Sequence, residues 1–480
     1  MLILSIETSC DETSIAFLES SFDSELSSEN FVEYINSFDN LAHTISTQIT
    51  THAEYGGVIP EIGARLHAEQ IHYLFEQTIL KVFEGKKLIQ NYPDSFAVTP
   101  PRGVLNAKSN NLNFNDPKAR EFLAKIDYIS VTAEPGLKSA LRVGEEFAKT
   151  IQFYLNLKLN RKVEVLKVNH LKGHVFSSFF NVKEKVLMGT SELSNEGILK
   201  SNELQTNLLS LASARQVQDD ERLMVVLENT PSEGVKPKVS GLLSSKNIFP
   251  HLHLLVSGGN SQLILLRNPY EFQIIGQTLD DAAGECFDKT ARMFGLSYPG
   301  GVSLARIAGL QNTNYLDLPV SMKNNPELNF SFSGLKTAVR YFVQKNELVN
   351  YEEKLSETEL QELLTTDLEA LTTPKPSVSP LQKGYVQPNP KLILIKQLCI
   401  SIQSVIVEQL IIKAKKAIKE FKPNSIGISG GVSANSLLRQ KIQEIADGKP
   451  VFIPDLTLTG DNAVMIGLAG GILLKKLKQN

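Results

Sequence analysis

The stretch MLILSIETSCDET, residues 1–13, is the part of the chain that is most informative about its fold. Residues 1–6 are an apolar run of strand length, and small polar and acidic residues follow it at once. Two later runs end in a similar way, HLHLLVSGG at 251–259 and NSIGISGG at 424–431. Small residues and paired glycines let backbone N–H groups approach an anion, so we interpret the three strand ends as phosphate-binding turns.

Helical patterns separate these strands. Two long ones are EIGARLHAEQIHYLFEQTILKVF at 61–83 and LIKQLCISIQSVIVEQLIIKAKKAIKEF at 394–421. Alternating strands and helices predict an α/β fold. The chain has no Walker A sequence and no GxGxxG turn, which excludes P-loop and dinucleotide-binding proteins. Three polar segments, about 88–122, 182–247 and 346–390, are expected to be surface insertions.

The composition is that of a globular protein with more than one core. The 480 residues are 42% hydrophobic and 21% charged, and the net charge of −3 gives no overall basic field for nucleic acid. Three widely spaced cysteines predict no disulfide framework, which favours a reducing compartment. No basic signal-peptide start and no apolar run of about 18 residues is present, so we expect a cytoplasmic protein without a membrane span.

The stretch VNHLKGH at 168–174 places two histidines four residues apart, which is a spacing that suits a metal site. Histidines that end a strand are also often hydrogen-bonded core residues, and the spacing alone does not choose between the two. A zinc protease of the HExxH type needs a glutamate directly after the first histidine. Leu171 stands there, which argues against a metalloprotease.

An acidic run, TLDDAAGECFDKTARMFGLSYPGG, spans residues 278–301. Helical spacing predicts that Asp281, Glu285 and Asp288 share one face. One interpretation is a solvated helix face, and the other is a set of carboxylates that hold the hydroxyls of a ligand.

Taken together in their order, these motifs resemble the tRNA threonylcarbamoyladenosine-forming transferases, the TsaD family of the actin-like ATPase superfamily. The stretches that carry the resemblance begin at residues 6, 52, 169, 254, 280, 330, 430 and 460, and read IETSCDETSIA, HAEYGGVIPEIGAR, NHLKGH, LLVSGGNSQL, DDAAGECFDKTARMFGLSYPGG, FSFSGLKTAV, GGVSAN and GDNAVMIG. The resemblance implies two actin-like (ASKHA) α/β domains around a central ligand cleft, with the three insertions. The expected first lobe is 1–165, completed by 456–480, and the expected second lobe is 166–455.

The resemblance also implies an activity. The family transfers a threonylcarbamoyl group from threonylcarbamoyl-AMP to the N6 amine of the adenosine beside the anticodon, position 37, in tRNAs that read codons beginning with A. It implies tRNA as a partner, together with TsaB-like and TsaE-like helper proteins, and ATP or ADP as further possible ligands. One divalent metal, iron or zinc, is expected in each chain.

The implied site residues fall into three groups. The metal ligands are His170, His174 and Asp461. Taken by itself, Asp461 also predicts the N-cap of the last helix. Asp11 and Glu12 match acidic positions near the reaction centre, and they are our candidates for a general base. The expected contacts to the adenylate are Leu255, Val256, Ser257, Gly258, Gly259, Asp288, Gly301 and Asn435.

Two positions depart from the family pattern. Asn260 replaces a histidine after the SGG turn, and asparagine cannot titrate near neutral pH. Glu134 replaces the first glycine of a GPGL turn, and a position that needs positive φ would resist it, which predicts a shifted turn. These departures keep open a partner subunit that binds nucleotide without catalysis. A sugar or acid kinase would explain the glycine turns but not the two histidines with a late aspartate.

Overall fold

The computed structural model describes residues 1–84, 116–180, 248–348, 354–366, 368 and 389–479. Most of the three expected insertions lies outside these residues. The described part of the third one includes a helix at Glu357–Thr365. The helix begins with a capping box, in which Ser356 and Glu359 each satisfy a backbone N–H of the other.

The first sheet contains five strands in the order β3-β2-β1-β4-β5. β1 pairs antiparallel with β2 and parallel with β4, while β2–β3 is antiparallel and β4–β5 is parallel. The strands are β1 Leu2–Glu7, β2 Glu12–Ser20, β3 Phe38–Thr47, β4 Tyr128–Glu134 and β5 Glu164–Asn169.

The second sheet repeats this topology, with the order β10-β9-β6-β7-β8. β6 pairs antiparallel with β7 and parallel with β9, as β1 does with β2 and β4. The strands are β6 His251–Val256, β7 Ser261–Asn268, β8 Glu271–Gln277, β9 Ser425–Ser429 and β10 Val451–Phe452. Two α/β units of the same strand order confirm the actin-like fold that the sequence predicts.

The helices are described in chain order. They are α1 Phe31–Asn36, α2 Ile49–Tyr55, α3 Pro60–Glu84, α4 Pro117–Leu123, α5 Lys138–Lys158, α6 His170–Ser177, α7 Ala283–Arg292, α8 Gly300–Ala308, α9 Ser333–Lys345, α10 Glu357–Thr365, α11 Pro390–Phe421, α12 Ser436–Ile445 and α13 Ala463–Gln479.

Buried apolar residues on the two faces of the first sheet form separate clusters. Helices α3, α4 and α5 cover one face, and α1, α6 and α13 cover the other. The second of these clusters also contains residues of the second sheet, so it joins the two units. The ring of Phe179, after α6, packs against that of Phe452 of β10, with centroids 4.6 Å apart and an interplanar angle of 45°. Apolar packing therefore connects the two sheets.

The structure corrects two of the expected boundaries. Residues 117–122 of the first expected insertion belong to α4, where Asp116 caps the helix and the Phe122 ring packs 5.0 Å from that of Phe17. Residues 166–169 were expected in the second lobe, but they pair with β4 as part of β5. Helix α13 lies on the first sheet, where its Gly467 and Gly470 come close to the side chains of Ser5 and Ser130. As a division into domains, the remaining boundaries stay a prediction.

Helix α11 is long and apolar enough to cross a membrane by length and composition, unlike what the sequence led us to expect. Its most apolar window is 72% buried inside the protein. Lys396 and Lys413 are buried within it and donate to backbone carbonyls, Lys413 to those of Asn325 and Glu327. These contacts are those of a central core helix.

Candidate functional site

His170 and His174 lie on α6, which begins where β5 ends. The Asn169 side chain caps the helix by accepting a hydrogen bond from the backbone N–H of Lys172. Both imidazoles are buried, and their ring centroids are 4.7 Å apart. The strand-to-helix turn therefore presents the two histidines side by side, as their spacing predicts.

Asp461 joins this pair from the segment before α13. Its Oδ1 lies 3.0 Å from Nε2 of His174 and 3.4 Å from Nε2 of His170. The three candidate ligand atoms are all within 4.8 Å of one another. The sequence also predicted Asp461 as the cap of the last helix, and this is wrong, because Asn462 accepts the hydrogen bond from the backbone N–H of Met465.

The donor set fits a divalent metal. Neutral imidazole and carboxylate suit zinc or iron, and three protein ligands would leave open positions for other oxygens. Both ring nitrogens of His174 are buried without a hydrogen bond of acceptable geometry. A buried imidazole is seldom left in that state, and a metal bound at Nε2 would satisfy one of the two nitrogens.

Glu7, at the end of β1, is a residue of this site that the sequence did not identify. Its Oε2 lies 3.2 Å from Nδ1 of His170 and 2.5 Å from the Thr132 hydroxyl, and its Oε1 accepts the Ser9 backbone N–H. A carboxylate that accepts from Nδ1–H leaves Nε2 of the same ring free for a metal. Glu7 thus selects the tautomer of His170 that can bind metal.

The charges of His170 and Asp461 shift each other's pKa. Burial alone would lower the pKa of His170, but the carboxylates of Asp461 and Glu7 raise it to about 9. Burial alone would raise the pKa of Asp461, but His170 and His174 hold it well below its ordinary value. Without metal, the aspartate is therefore ionised and His170 carries the compensating proton.

The end of β6 and the turn after it contain five of the predicted adenylate contacts. Leu255 and Val256 are buried in the core, so their side chains point away from any ligand and only their backbone remains available. Gly258 and Gly259 are exposed, and a Cβ at either would meet nothing within 4 Å. The Ser257 hydroxyl accepts the backbone N–H of Asn260 and closes the turn. The turn thus offers an open backbone surface at its two glycines.

The turn after β9 lies directly against the turn after β6. Gly430 has φ +87°, and a Cβ there would overlap the carbonyl oxygen of Val256. Only glycine combines this backbone conformation with so close an approach. The second and third of the predicted phosphate-binding turns are therefore adjacent.

Asp288, Gly301 and Asn435 have defined roles. Asp288 accepts the backbone N–H of Gly301 at 2.7 Å, and burial raises its pKa, with a further increase from Asp11. Asn435 caps α12 through the backbone N–H of Leu438 and donates to the Gln403 side chain. One N–H of the Asn435 amide remains for another partner.

The other carboxylates of the acidic run are held by internal contacts. Asp280 accepts the backbone N–H groups that begin α9, and Asp281 forms ion pairs with Lys289 and Lys336. Helix α7 starts at Ala283, so the predicted shared helix face with Asp281 is wrong. Asp288 differs from them, because its pKa is raised by burial and by the charge of Asp11.

Asp11 and Glu12 lie where β1 turns into β2. Burial raises the pKa of Glu12 well above its ordinary value, and Asp11 and Asp461 raise it further. Burial also raises the pKa of Tyr298, followed by the charges of Asp11 and Asp288. Glu12 is therefore close enough to Asp461 for that charge to raise its pKa, and Asp288 is close enough to Asp11 for the same effect. Tyr298 is a further member of this cleft that the sequence did not indicate.

Glu134 does not shift its turn through positive φ. It ends β4 with an exposed side chain, and it is not one of the described residues whose φ is positive. The predicted conflict is therefore absent at this position. Asn260 sits partly exposed on the turn after β6, where its backbone bonds to Ser257 close the loop.

A profile of the family described as TsaD, tRNA N6-adenosine threonylcarbamoyltransferase, matches residues 39–98, 118–191 and 239–468. The chain belongs to this family. A protein of that name from Thermosipho africanus is 30% identical over 478 residues, which cover 99% of this chain and 95% of that protein.

Two further relatives carry the same name. The protein from Chromobacterium violaceum is 30% identical and covers 99% of this chain and 94% of its own length. The protein from Francisella philomiragia is 29% identical, with 98% and 93% coverage. A solved structure titled T.kodakarensis HypF matches 73% of this chain and 40% of its own at 11% identity and a TM-score of 0.28, which is too low to say anything about the fold.

A protein of this family needs a surface that can bind tRNA, and basic side chains are the usual contacts to its phosphates. Two sets of basic residues are candidates for contacts with tRNA phosphates, namely Lys118, Arg120 and Lys125, and Lys413, Lys415, Lys416 and Lys419. Lys413 is excluded because it is 1% exposed and bonded to carbonyl groups. Lys125 is paired with Glu121 one helical turn away.

Proposed function

We propose that this protein transfers the threonylcarbamoyl group of threonylcarbamoyl-AMP to the N6 amine of adenosine 37 in tRNAs that read codons beginning with A. The adenine nitrogen would attack the carbonyl carbon, the bond from that carbon to the AMP phosphate oxygen would break, and the nitrogen would lose a proton. Family membership and the buried His170–His174–Asp461 cluster support this activity.

The cluster would hold one divalent metal, either iron or zinc. When bound, such a metal supplies a Lewis acid that holds and polarises oxygens of the adenylate. The chain's own contribution is to keep the ligands ready. Glu7 fixes the ring of His170, and the Ser9 hydroxyl lies 3.4 Å from Oδ2 of Asp461.

The adenylate would be bound by the two adjacent glycine turns. Open backbone at Gly258 and Gly259 suits the phosphate, because donors on a glycine turn can approach an anion closely. Asp288 and the Gly301 backbone, with the free N–H of Asn435, are suited to the ribose and base. The same surface is suited to ATP or ADP, which share the adenosine phosphate group.

Positioning and proton removal would supply most of the rate. The activated adenylate has AMP as a good leaving group, whereas the amine of adenine is a weak nucleophile. Asp11 or Glu12 would accept the proton from the nitrogen. The raised pKa of Glu12 brings it closer to neutral pH, where a general base is most effective.

The partners would be tRNA and the TsaB-like and TsaE-like helper proteins of the pathway. A cytoplasmic location agrees with three cysteines that are all free thiols in the structure.

A nucleotide-binding subunit without catalysis is the second candidate that the departures from the family pattern had kept open. The absence of a positive φ at Glu134 and the grouping of His170, His174 and Asp461 argue against such a loss of function. A metalloprotease is disfavoured because Leu171 packs against the core where that enzyme needs a glutamate.

Reconstitution tests the proposal. Purified protein, metal, helper proteins and threonylcarbamoyl-AMP are incubated with a tRNA that reads codons beginning with A, and nucleosides are analysed by mass spectrometry. The proposal predicts threonylcarbamoyladenosine at position 37. Absence of the product with every component active in a control reaction would reject the transferase function.

A further inference from the structure

His67, on α3, is a buried side chain that contacts the turn carrying Asp11 and Glu12. Its Nε2 lies 3.0 Å from the backbone carbonyl oxygen of Cys10, and its Nδ1 lies 2.7 Å from the Thr13 hydroxyl. The imidazole has no exposed surface. One ring therefore bonds to the residue before and to the residue after the acidic pair.

The hydrogen-bond partners determine the tautomer of this ring. A carbonyl oxygen can only accept, so Nε2 carries the hydrogen and donates it to Cys10. Burial lowers the pKa of His67, which keeps the ring neutral, so Nδ1 accepts from the Thr13 hydroxyl. Both polar atoms of the buried ring are satisfied, and neither is left for a ligand.

Neighbouring contacts complete the restraint on the turn. The backbone N–H of Gln48 donates to the carbonyl oxygen of Asp11 at 2.9 Å. Gly63, one turn before His67 on α3, also faces this turn, and a Cβ there would lie 3.6 Å from the Cys10 carbonyl oxygen. The two consecutive carbonyls of Cys10 and Asp11 thus each have a fixed donor, and this sets the direction of the Asp11 and Glu12 side chains.

We propose that His67 is a positioning residue that holds Asp11 and Glu12 in the orientation required for proton removal from the tRNA amine. The inference rests on the proposed function for its catalytic consequence. It does not rest on the metal ligands or on the turns proposed to bind the adenylate, because His67 contacts neither. Its loss should therefore lower kcat and leave the KM for threonylcarbamoyl-AMP and the metal content unchanged.

The main variant is His67→Leu, which fills the space but leaves the Cys10 carbonyl and the Thr13 hydroxyl without partners. We expect kcat to fall about 10–100-fold, since small displacements of reacting groups have effects of this size. His67→Gln retains an N–H that can reach Cys10, and it should recover part of the rate. Thr13→Val removes one hydrogen bond and should reduce kcat about 3–10-fold. The matched control is His72→Leu, the same change at an exposed position of the same helix.

A second readout requires no enzymatic activity. Cys10 is partly exposed, whereas Cys286 and Cys399 are buried, so a soluble thiol reagent reports on this turn. Loosening of the turn should increase the rate of Cys10 modification about 5–10-fold in the metal-loaded His67→Leu protein, as local opening exposes the thiol. His72→Leu should react like the wild type, and Cys10→Ser should remove the signal.

The outcomes separate this inference from the proposed function. Faster Cys10 modification with a selective fall in kcat supports both. Unchanged Cys10 reactivity, or wild-type kcat in a folded His67→Leu protein, overturns the positioning role. Loss of metal together with activity also overturns it, because that result indicates a general structural role. If the wild type makes no product while Cys10 reactivity rises in the variant, the proposed function fails and the restraint on the turn stands.

Discussion

Replacement of Glu7 by glutamine tests how the metal ligands are oriented. The carboxylate accepts three hydrogen bonds, from the Ser9 backbone, the Thr132 hydroxyl and Nδ1 of His170. A glutamine amide has one oxygen, so it cannot accept both at the Oε1 position, which faces Ser9, and at the Oε2 position, which faces His170 and Thr132. If its nitrogen faces His170, the ring must accept at Nδ1, and its hydrogen moves to the Nε2 that would bind metal. If its nitrogen faces Ser9, that buried N–H loses its acceptor.

Each arrangement has an effect of predictable size, on metal affinity in the first case and on the free energy of unfolding in the second. Loss of a carboxylate that orients a metal-binding histidine should weaken metal binding about 10–100-fold, which corresponds to about 1.4–2.8 kcal/mol. A buried donor left without an acceptor should lower the free energy of unfolding by about 1–3 kcal/mol. The second effect also appears in metal-free protein, so the two are separable.

The assay is a competition titration with a chelator, combined with metal analysis of the purified protein. Glu19→Gln is the matched control, because Glu19 is exposed on the neighbouring strand β2. We expect weaker metal binding in Glu7→Gln and wild-type binding in Glu19→Gln. Equal affinity of Glu7→Gln and wild type for the metal would refute the role of Glu7 in orienting His170.

Three further predictions concern other parts of the account. The pKa of His170 in metal-free protein is raised to about 9, so metal binding at about pH 7.5 should release a proton, and the apparent metal affinity should increase as the pH approaches 9. Calorimetry in buffers of different ionisation enthalpy measures the proton release. A heat of binding that does not depend on the buffer would contradict it. Gly430→Ala should lower the free energy of unfolding, measured in urea, by about 2–4 kcal/mol, because φ is positive and a Cβ would overlap the Val256 carbonyl. Gly448→Ala, where φ is also positive but the space is free, should lower it by about 1–2 kcal/mol. Equal losses in the two variants would show that the close approach at Gly430 has no energetic effect. Binding of tRNA should weaken at least about 10-fold between about 50 and 200 mM salt in a filter-binding assay, and binding that does not respond to salt would exclude a phosphate-contacting surface.

The sequence predicted the fold and the metal cluster, and both depend on local patterns in family order. Strand ends followed by small residues, and histidines four residues apart, are visible without a structure. Asp461 lies far along the chain from the histidines and was found through the resemblance alone. The cap of α13 was assigned to Asp461 and not to its neighbour Asn462 because both residue types cap helices. Only the structure shows that Asp461 contacts His174 while Asn462 accepts the hydrogen bond from the helix.

Other features could not be predicted because they depend on the environment of single residues. Glu7 resembles any polar residue at a strand end until the structure places it beside His170. Lys413 appeared to be a surface lysine on a charged helix end, but its side chain is buried and donates to the backbone carbonyls of Asn325 and Glu327. His67 lies on the apolar face of a long helix, and its hydrogen bonds to Cys10 and Thr13 join segments more than 50 residues apart.

The most direct test of the central claim compares the wild type with His174→Ala in the reconstituted reaction. His174 makes no well-formed hydrogen bond of its own, so its removal affects the metal site more than the surrounding structure. We predict that the wild type forms threonylcarbamoyladenosine at position 37, and that His174→Ala, correctly folded, contains no metal and forms none. Product formation by the metal-free variant at the wild-type rate would contradict the account.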